Sequence, residues 1–230
     1  MGTERRIASE NKLQEANKVQ VKSKERVAVH GEVFTADREV NAMLDLVKSE
    51  TERIESRFLE PACGNGNFLA KILERKLAVV RARYGKEQNL YERNALLAVS
   101  SIYGIEIQMD NVMECRERLL EIFKNEYLKI FHEKYKQECL KSVEFLLSKN
   151  ILWGDALNYC EPTSEHKLLK FSEWSFLSDG GVKRRDYTYK DLVNKQFSVF
   201  SDLGEESLTS NPNNDYPLVN YLNLNSEAYE

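Results

Sequence analysis

The stretch FLEPACGNGNFLAKIL, residues 58–73, constrains this chain more than any other. It begins as a short apolar strand and ends with apolar residues at helical spacing, and the two glycines between them let the backbone turn sharply. A strand-to-helix turn presents free backbone N–H groups and the positive end of the helix dipole, so it suits anions in general. Here, however, the strand ends on Glu60, directly before the turn.

That acid narrows the ligand. In dinucleotide-binding turns a third glycine brings the helix close to a pyrophosphate, whereas Leu69 stands at that position here, and Glu60 would repel the phosphates. A ligand with an ammonium and a sulfonium is attracted instead, because Coulomb attraction at a partly desolvated site is worth kilocalories rather than tenths. S-adenosylmethionine is such a ligand. Two more acids close the following strands: Glu106 in YGIEI, where a carboxylate can accept from both ribose hydroxyls, and Asp155 in LWGDAL, within reach of an adenine amine. A nicotinamide-dependent oxidoreductase retains only the G-x-G and the parallel sheet.

The remaining pattern fits that frame. TADREVNAMLDLVKSE reads as an amphipathic helix capped by Thr35, with Val40, Met43, Leu44 and Val47 inward. NFLAKILERKLAVVRARYG reads as a helix stopped by Gly85, with Phe68, Leu69, Ile72, Leu77 and Val80 inward. The span from Asp110 to about Lys149 predicts one long helix or two broken ones, and NILWGDAL predicts the third strand. Alternating strands and helices indicate a doubly wound parallel sheet. Beyond it, LLKFSEWSFL and VKRRDYTY read as strands about an SDGG turn, and KDLVNKQ as a short helix. The organisation expected is a polar extension over 1–27, a domain over 28–200, and an irregular Asn-, Ser- and Pro-rich tail over 201–230.

Composition bounds the function. Of 230 residues, 42% are hydrophobic and 30% charged, with a net charge of −4, so the chain lacks the global basic field of an autonomous nucleic-acid binder. Any DNA contact must be local or shared, and VKRRDYTY, with Lys183, Arg184 and Arg185, is the one basic and aromatic cluster. Cys63, Cys115, Cys139 and Cys160 are too far apart for a C-x-x-C pair, so reduced thiols rather than a metal site are expected. No apolar run approaches the roughly 18 residues of a membrane span, and no signal-peptide core opens the chain, so no membrane association and a cytoplasmic location are expected.

From about Val29 to Leu157 the chain resembles the adenine-N6 DNA methyltransferases of bacterial restriction-modification systems. HGEVFTADREVNAMLDLV is similar to the family's G-x-[FY]-[FY]-T-P element: Gly31, Phe34 and Thr35 match, and Ala36 replaces the proline. EPACGNGNF resembles the cofactor-binding motif, and YGIEIQMDNVMECRERL and GDAL resemble the two that follow, in the family's gamma order. The resemblance implies a Rossmann-like class I methyltransferase fold, three-layered with a mostly parallel sheet, shortened on its carboxyl-terminal side. It also implies that Glu60, Ala62, Gly64 and Gly66 contact the methionine end of S-adenosylmethionine, with Cys63 and Phe68 in the same motif and Phe34 and Thr35 in the covering loop. Glu106 would hold the ribose, and Asp155 with Ala156 the adenine. Double-stranded DNA carrying a target adenine, and a restriction or specificity subunit, are the implied partners.

One family element is missing. No [DNS]-P-P-[YFW] tetrapeptide, whose polar groups accept the target amine while the ring stacks on the flipped base, occurs in the chain. The nearest stretches are FSEW (171–174) and NPNNDY (211–216), both better read as structural, so the catalytic residues are unassigned. Fewer than a hundred residues follow Asp155, too few to expect a separate recognition domain. The expected function is accordingly a methyltransferase or modification subunit acting on adenine, or else a S-adenosylmethionine-binding accessory subunit that needs a partner chain.

Overall fold

The computed structural model describes residues 21–199, 212–226 and Tyr229. The chain divides into two units, 1–46 and 47–230. In the first, α1 (Lys24–His30) starts inside the stretch expected to be a polar extension, and Ser23 caps it by accepting the Arg26 N–H at 3.1 Å. Helix α2 (Asp37–Asp45) begins one residue later than expected. Its N-cap is Ala36, not Thr35, because with Asp37 as the first helical residue Thr35 stands outside the capping position. Val40 and Leu44 are buried on α2, but Met43 and Val47 are exposed, since the helix stops before Val47 and Met43 lies off the Val40–Leu44 line.

The second unit is α/β. After the single turn α3 (Lys48–Thr51), strands β1 (Phe58–Glu60), β2 (Ile102–Glu106) and β3 (Ile151–Trp153) form a parallel sheet in the order β1-β2-β3. The register pairs Leu59 with Tyr103 and Ile105 with Leu152. Helix α4 (Asn67–Tyr84) ends at Gly85, as its sequence indicates, and is followed by α5 (Gln88–Ser100), which the strand-helix alternation did not anticipate. The charged span resolves into two helices, α6 (Met109–Phe131) and α7 (Gln137–Asn150), separated by a short 3-10 turn.

All five residues of β2 are buried, so its two faces serve two different layers. On one face Gly104 meets the loop after β1: a Cβ there would come within 2.8 Å of Cys63 Sγ and 3.0 Å of a Leu69 methyl. On the other, Tyr103 and Ile105 join Leu169, Phe171 and Tyr189 in an apolar cluster, with Tyr103 and Phe171 edge to face at 5.3 Å between ring centroids. Phe171 belongs to β4 (Lys170–Phe176), which pairs antiparallel with β5 (Gly181–Thr188), and Tyr189 opens α8 (Tyr189–Val199).

The mostly parallel sheet that was expected is therefore three strands long, and the later strands make a separate antiparallel sheet. A hairpin closed by the Asp179–Gly181 turn can return only antiparallel. The tail expected to be irregular contributes to that sheet where it is described: β6 (Asn214–Asp215) and β7 (Val219–Asn220) both pair with β5. Among the described residues no helix is long and apolar enough to cross a membrane.

Buried polar groups tie these layers together. The Glu92 carboxylate is wholly buried and accepts from the Tyr127 hydroxyl, Gln88 Nε2 at 2.9 Å, Lys136 Nζ at 2.7 Å and the Tyr221 hydroxyl at 3.0 Å, joining α5, α6 and the carboxyl-terminal segment. Asn150 donates to the carbonyls of Ser100 and Ile102 and accepts from Trp174 Nε1 at 3.0 Å, fixing β4 to the end of α7. Lys76 Nζ donates to the carbonyls of Ile54 and Ser56 and to Ser101 Oγ, at the start of β1 and β2.

Burial pushes the Lys76 amine down to about 7, against the opposing pull of Glu55 and Glu50. Its unfolded value is about 10.4. Between those values the unfolded chain binds a proton that the folded chain does not, so this group makes stability rise with pH from about 7 upward. Urea unfolding at pH 7 and pH 9 should show the wild type gaining stability relative to Lys76→Met over that interval. A constant difference between the two proteins would refute the assignment.

Candidate functional site

The site is built at the carboxyl ends of β1 and β2, where parallel strands leave their last carbonyls and side chains to one edge. After Glu60 the chain turns through Pro61–Gly66 into α4. Cys63 N–H donates to Ile105 O at 3.0 Å and Gly66 N–H to Cys63 O at 2.9 Å, so the loop is laid back across the end of β2. Gly66, at φ +85°, is the N-cap of α4, and a Cβ there would sit 2.6 Å from Cys115 Sγ of α6. Only glycine supplies both that backbone conformation and that clearance.

Glu106 is 8% exposed, and its two oxygens accept backbone N–H groups, Gly64 at 2.9 Å and Gln108 at 2.8 Å. It thereby spans the glycine loop and the start of α6. Glu60 is half-buried; burial raises its carboxyl above the usual range, an effect only partly offset by the Ala62 N–H. Among the described residues no Lys, Arg or His pairs with either acid. Two carboxylates flanking a glycine loop without a cation of their own form an electrostatic site for the positive end of a ligand.

Two side chains without a motif of their own, Glu114 and Arg118, hold the loop in place. Asn65 Nδ2 donates to Glu114 Oε1 at 2.9 Å, and Arg118 Nη1 donates to Asn67 Oδ1 at 2.5 Å, so α6 clamps the turn from outside. Glu114 and Arg118 lie four apart on α6, a spacing that places both on one helix face. Asn65 Oδ1 is buried with no hydrogen-bond partner among the described residues, an acceptor inside the loop. Cys63 is buried against Cys115, and their hydrogen bond together with burial pushes its thiol far up, which makes it packing rather than a nucleophile.

The other expected positions divide. Asp155 lies two residues beyond β3, and its carboxylate closes its own turn: Oδ1 accepts Leu157 N–H at 2.8 Å and Asn158 N–H at 3.1 Å, and Oδ2 accepts Asn158 Nδ2 at 2.7 Å. The Asn158 side chain, foremost among these donors, lowers its pKa. Ala156 faces the apolar cluster behind the sheet. Ala62 is exposed and Phe68 partly so. Buried Phe34 and half-exposed Thr35 belong to the amino-terminal unit.

The basic cluster on β5 is corrected at Arg184. Strand alternation turns it inward, where it is 4% exposed, pairs with Asp186 at 2.9 Å, donates to Ser172 Oγ and Tyr229 O, and lies 4.2 Å from the Tyr216 ring centroid. It is a core ion pair and presents nothing to a phosphate. Lys183 and Arg185 occupy the other face beside Asp215, at 2.7 and 3.9 Å, and Arg185 lies 4.0 Å from Glu173. In FSEW, Phe171, Ser172 and Trp174 are buried and Glu173 takes Arg57 at 2.8 Å, so the segment is structural. In the second stretch Asn211 lies outside the described residues, and Asn213 N–H donates to Asp186 O.

Comparison of the chain with protein-family models, with curated proteins and with solved structures finds no match.

Gly66→Ala combines a strained φ with a methyl 2.6 Å from sulfur, and should lower stability by about 1–3 kcal/mol. Cys115→Ala in the same chain should relieve the contact part and leave the backbone part. Thermal or urea unfolding of the two single variants and the double variant measures the coupling.

Proposed function

We propose that the chain binds S-adenosylmethionine at the β1–α4 loop and serves a DNA adenine-N6 methyltransferase, as the enzyme or as a modification subunit. The observation that carries this reading is the pair Glu60 and Glu106: two buried or half-buried carboxylates on adjacent strand ends, flanking a glycine loop, with no cationic side chain paired to either among the described residues. The residues present fit the ligand. Glu60 suits its ammonium and sulfonium end, the Gly64–Gly66 backbone allows close approach, and Glu106 offers acceptor capacity for hydroxyls beside the N–H groups it already receives. Asp155, already holding its own turn together, supports the loop after β3, and an adenine amine would add to the donors it receives.

When bound, S-adenosylmethionine supplies an electrophilic methyl group. The chain's own contribution is to hold the positive end of that ligand in a partly desolvated site and to fix its orientation through the clamped loop, which lowers the barrier by positioning. A group to accept the target amine is unassigned: FSEW is committed to the hairpin core and its ion pairs. That observation favours the second reading, a S-adenosylmethionine-binding subunit that acts with a partner chain, such as a restriction or specificity subunit.

Titration calorimetry with S-adenosylmethionine separates the readings from their rivals. Wild type should bind, and Glu60→Gln should weaken binding at least tenfold, or about 1.4 kcal/mol. Because the binding form of Glu60 is the carboxylate and its pKa is raised, wild-type affinity should fall as pH drops from 7 to 5, and this fall should vanish in Glu60→Gln. Incubation with methyl-labelled S-adenosylmethionine and unmodified DNA then decides the role: transfer by the chain alone identifies an enzyme, and binding without transfer identifies a subunit. Absence of binding by the wild type overturns both.

A further inference from the structure

We propose that Cys160 is a reactive thiol, with His166 as its base, and that it forms a mixed disulfide with a small-molecule disulfide. The two residues lie in the loop between β3 and β4, where Cys160 Sγ stands 3.7 Å from His166 Nδ1. That distance is within hydrogen-bond reach for sulfur, and a thiol beside an imidazole is the arrangement that activates a cysteine. The inference does not depend on what the acidic loop binds.

The backbone sets this meeting. Asp155 N–H donates to Cys160 O at 2.8 Å, Leu169 N–H to Tyr159 O at 2.9 Å and Glu161 N–H to Lys167 O at 2.8 Å, so the chain runs out from Cys160 and returns alongside itself, bringing His166 back to the sulfur. Two of the three non-glycine residues at positive φ among the described residues are in this loop, Tyr159 at 60° and His166 at 47°. A left-handed backbone at a tyrosine and a histidine persists only where the surroundings impose it, and such positions gather at functional sites. Here one of them precedes the thiol and the other carries the base.

Cys160 differs from the other three cysteines in what covers it. Cys115 and Cys139 have no exposed surface, Cys63 is buried against Cys115, and burial pushes the Cys139 thiol up. Cys160 is 7% exposed, but the residues against it are at the surface: His166 is exposed, and Leu168, its bridge partner, is 50% exposed. A small reagent has one layer of side chains to pass. With its ring proton on Nε2, the imidazole takes the thiol proton at Nδ1, and the thiolate attacks one sulfur of the disulfide. The new S–S bond forms as the old one breaks, and the leaving thiolate takes the proton from the imidazolium. One thiol and one disulfide give one mixed disulfide and one thiol, so no further oxidant is needed.

The test treats the full chain with oxidised glutathione, locates the adduct by peptide mass mapping, and follows the rate with 5,5′-dithiobis(2-nitrobenzoate). Of the four cysteines, one should react at least tenfold faster than the rest in the folded chain, and it should be Cys160. Cys160→Ser should abolish that fast phase. His166→Asn removes the base while keeping a residue that accepts a left-handed backbone, and should slow Cys160 at least fivefold. An imidazole that merely covers the sulfur predicts the opposite: its removal would leave the rate unchanged or raise it, and that result overturns the proposal. It is equally overturned if no thiol of the folded chain is fast, or if the fast thiol maps to another cysteine. Thermal unfolding of each variant checks that the fold is retained, and equal rates for wild type and His166→Asn in urea assign the difference to the folded pair.

Discussion

The five buried residues of β2 are the constraint on which the rest of the second unit depends. A strand sealed on both faces must have small or apolar side chains on each, and it must end in a group that can satisfy itself. Gly104 meets the first demand, because Cys63 and Leu69 occupy the space a side chain would need. Glu106 meets the second by taking the N–H groups of Gly64 and Gln108. Packing therefore presses the glycine loop onto β2, and a buried acid holds it there. The same strand carries Tyr103 and Ile105 on its reverse face and so anchors the antiparallel hairpin.

This arrangement costs stability at the site and supplies it elsewhere. Among the described residues no cation pairs with Glu60 or Glu106, and burial already disfavours the charge on Glu60. The fold offsets such local expense with fully satisfied buried networks around Glu92 and Asn150, where every polar partner is within hydrogen-bond distance. Two acids at adjacent strand ends that receive backbone N–H groups, and among the described residues no cationic side chain, stand apart from Glu92 and Asp186, whose charges are met by Lys136 and Arg184.

Much of the parallel core is legible in the sequence because local signals agree there. Strand, glycine turn and helix follow one another over residues 58–84, and GIEI and ILW repeat the strand pattern. Helix α5 is less legible because Gly85 stops α4 and the next apolar run resembles a connection, although Tyr91, Ala95 and Val99 recur at helical spacing. Arg184 reads as a surface residue because it stands in a basic run. The correcting signal was present: in a strand, Asp186 lies two residues on and therefore on the same face as Arg184. The loop clamps at Asn65 and Asn67 were not legible, since their partners Glu114 and Arg118 are about fifty residues away and only folding brings them together.

At physiological salt, exposed charges are screened beyond about 8 Å, so the carboxylates of Glu60 and Glu106 act on what enters their own loop and not through the net charge of −4. The character of the site is therefore set by the few side chains that line it, and the glycine loop, held by Glu106 on one side and by α6 on the other, fixes where those carboxylates stand.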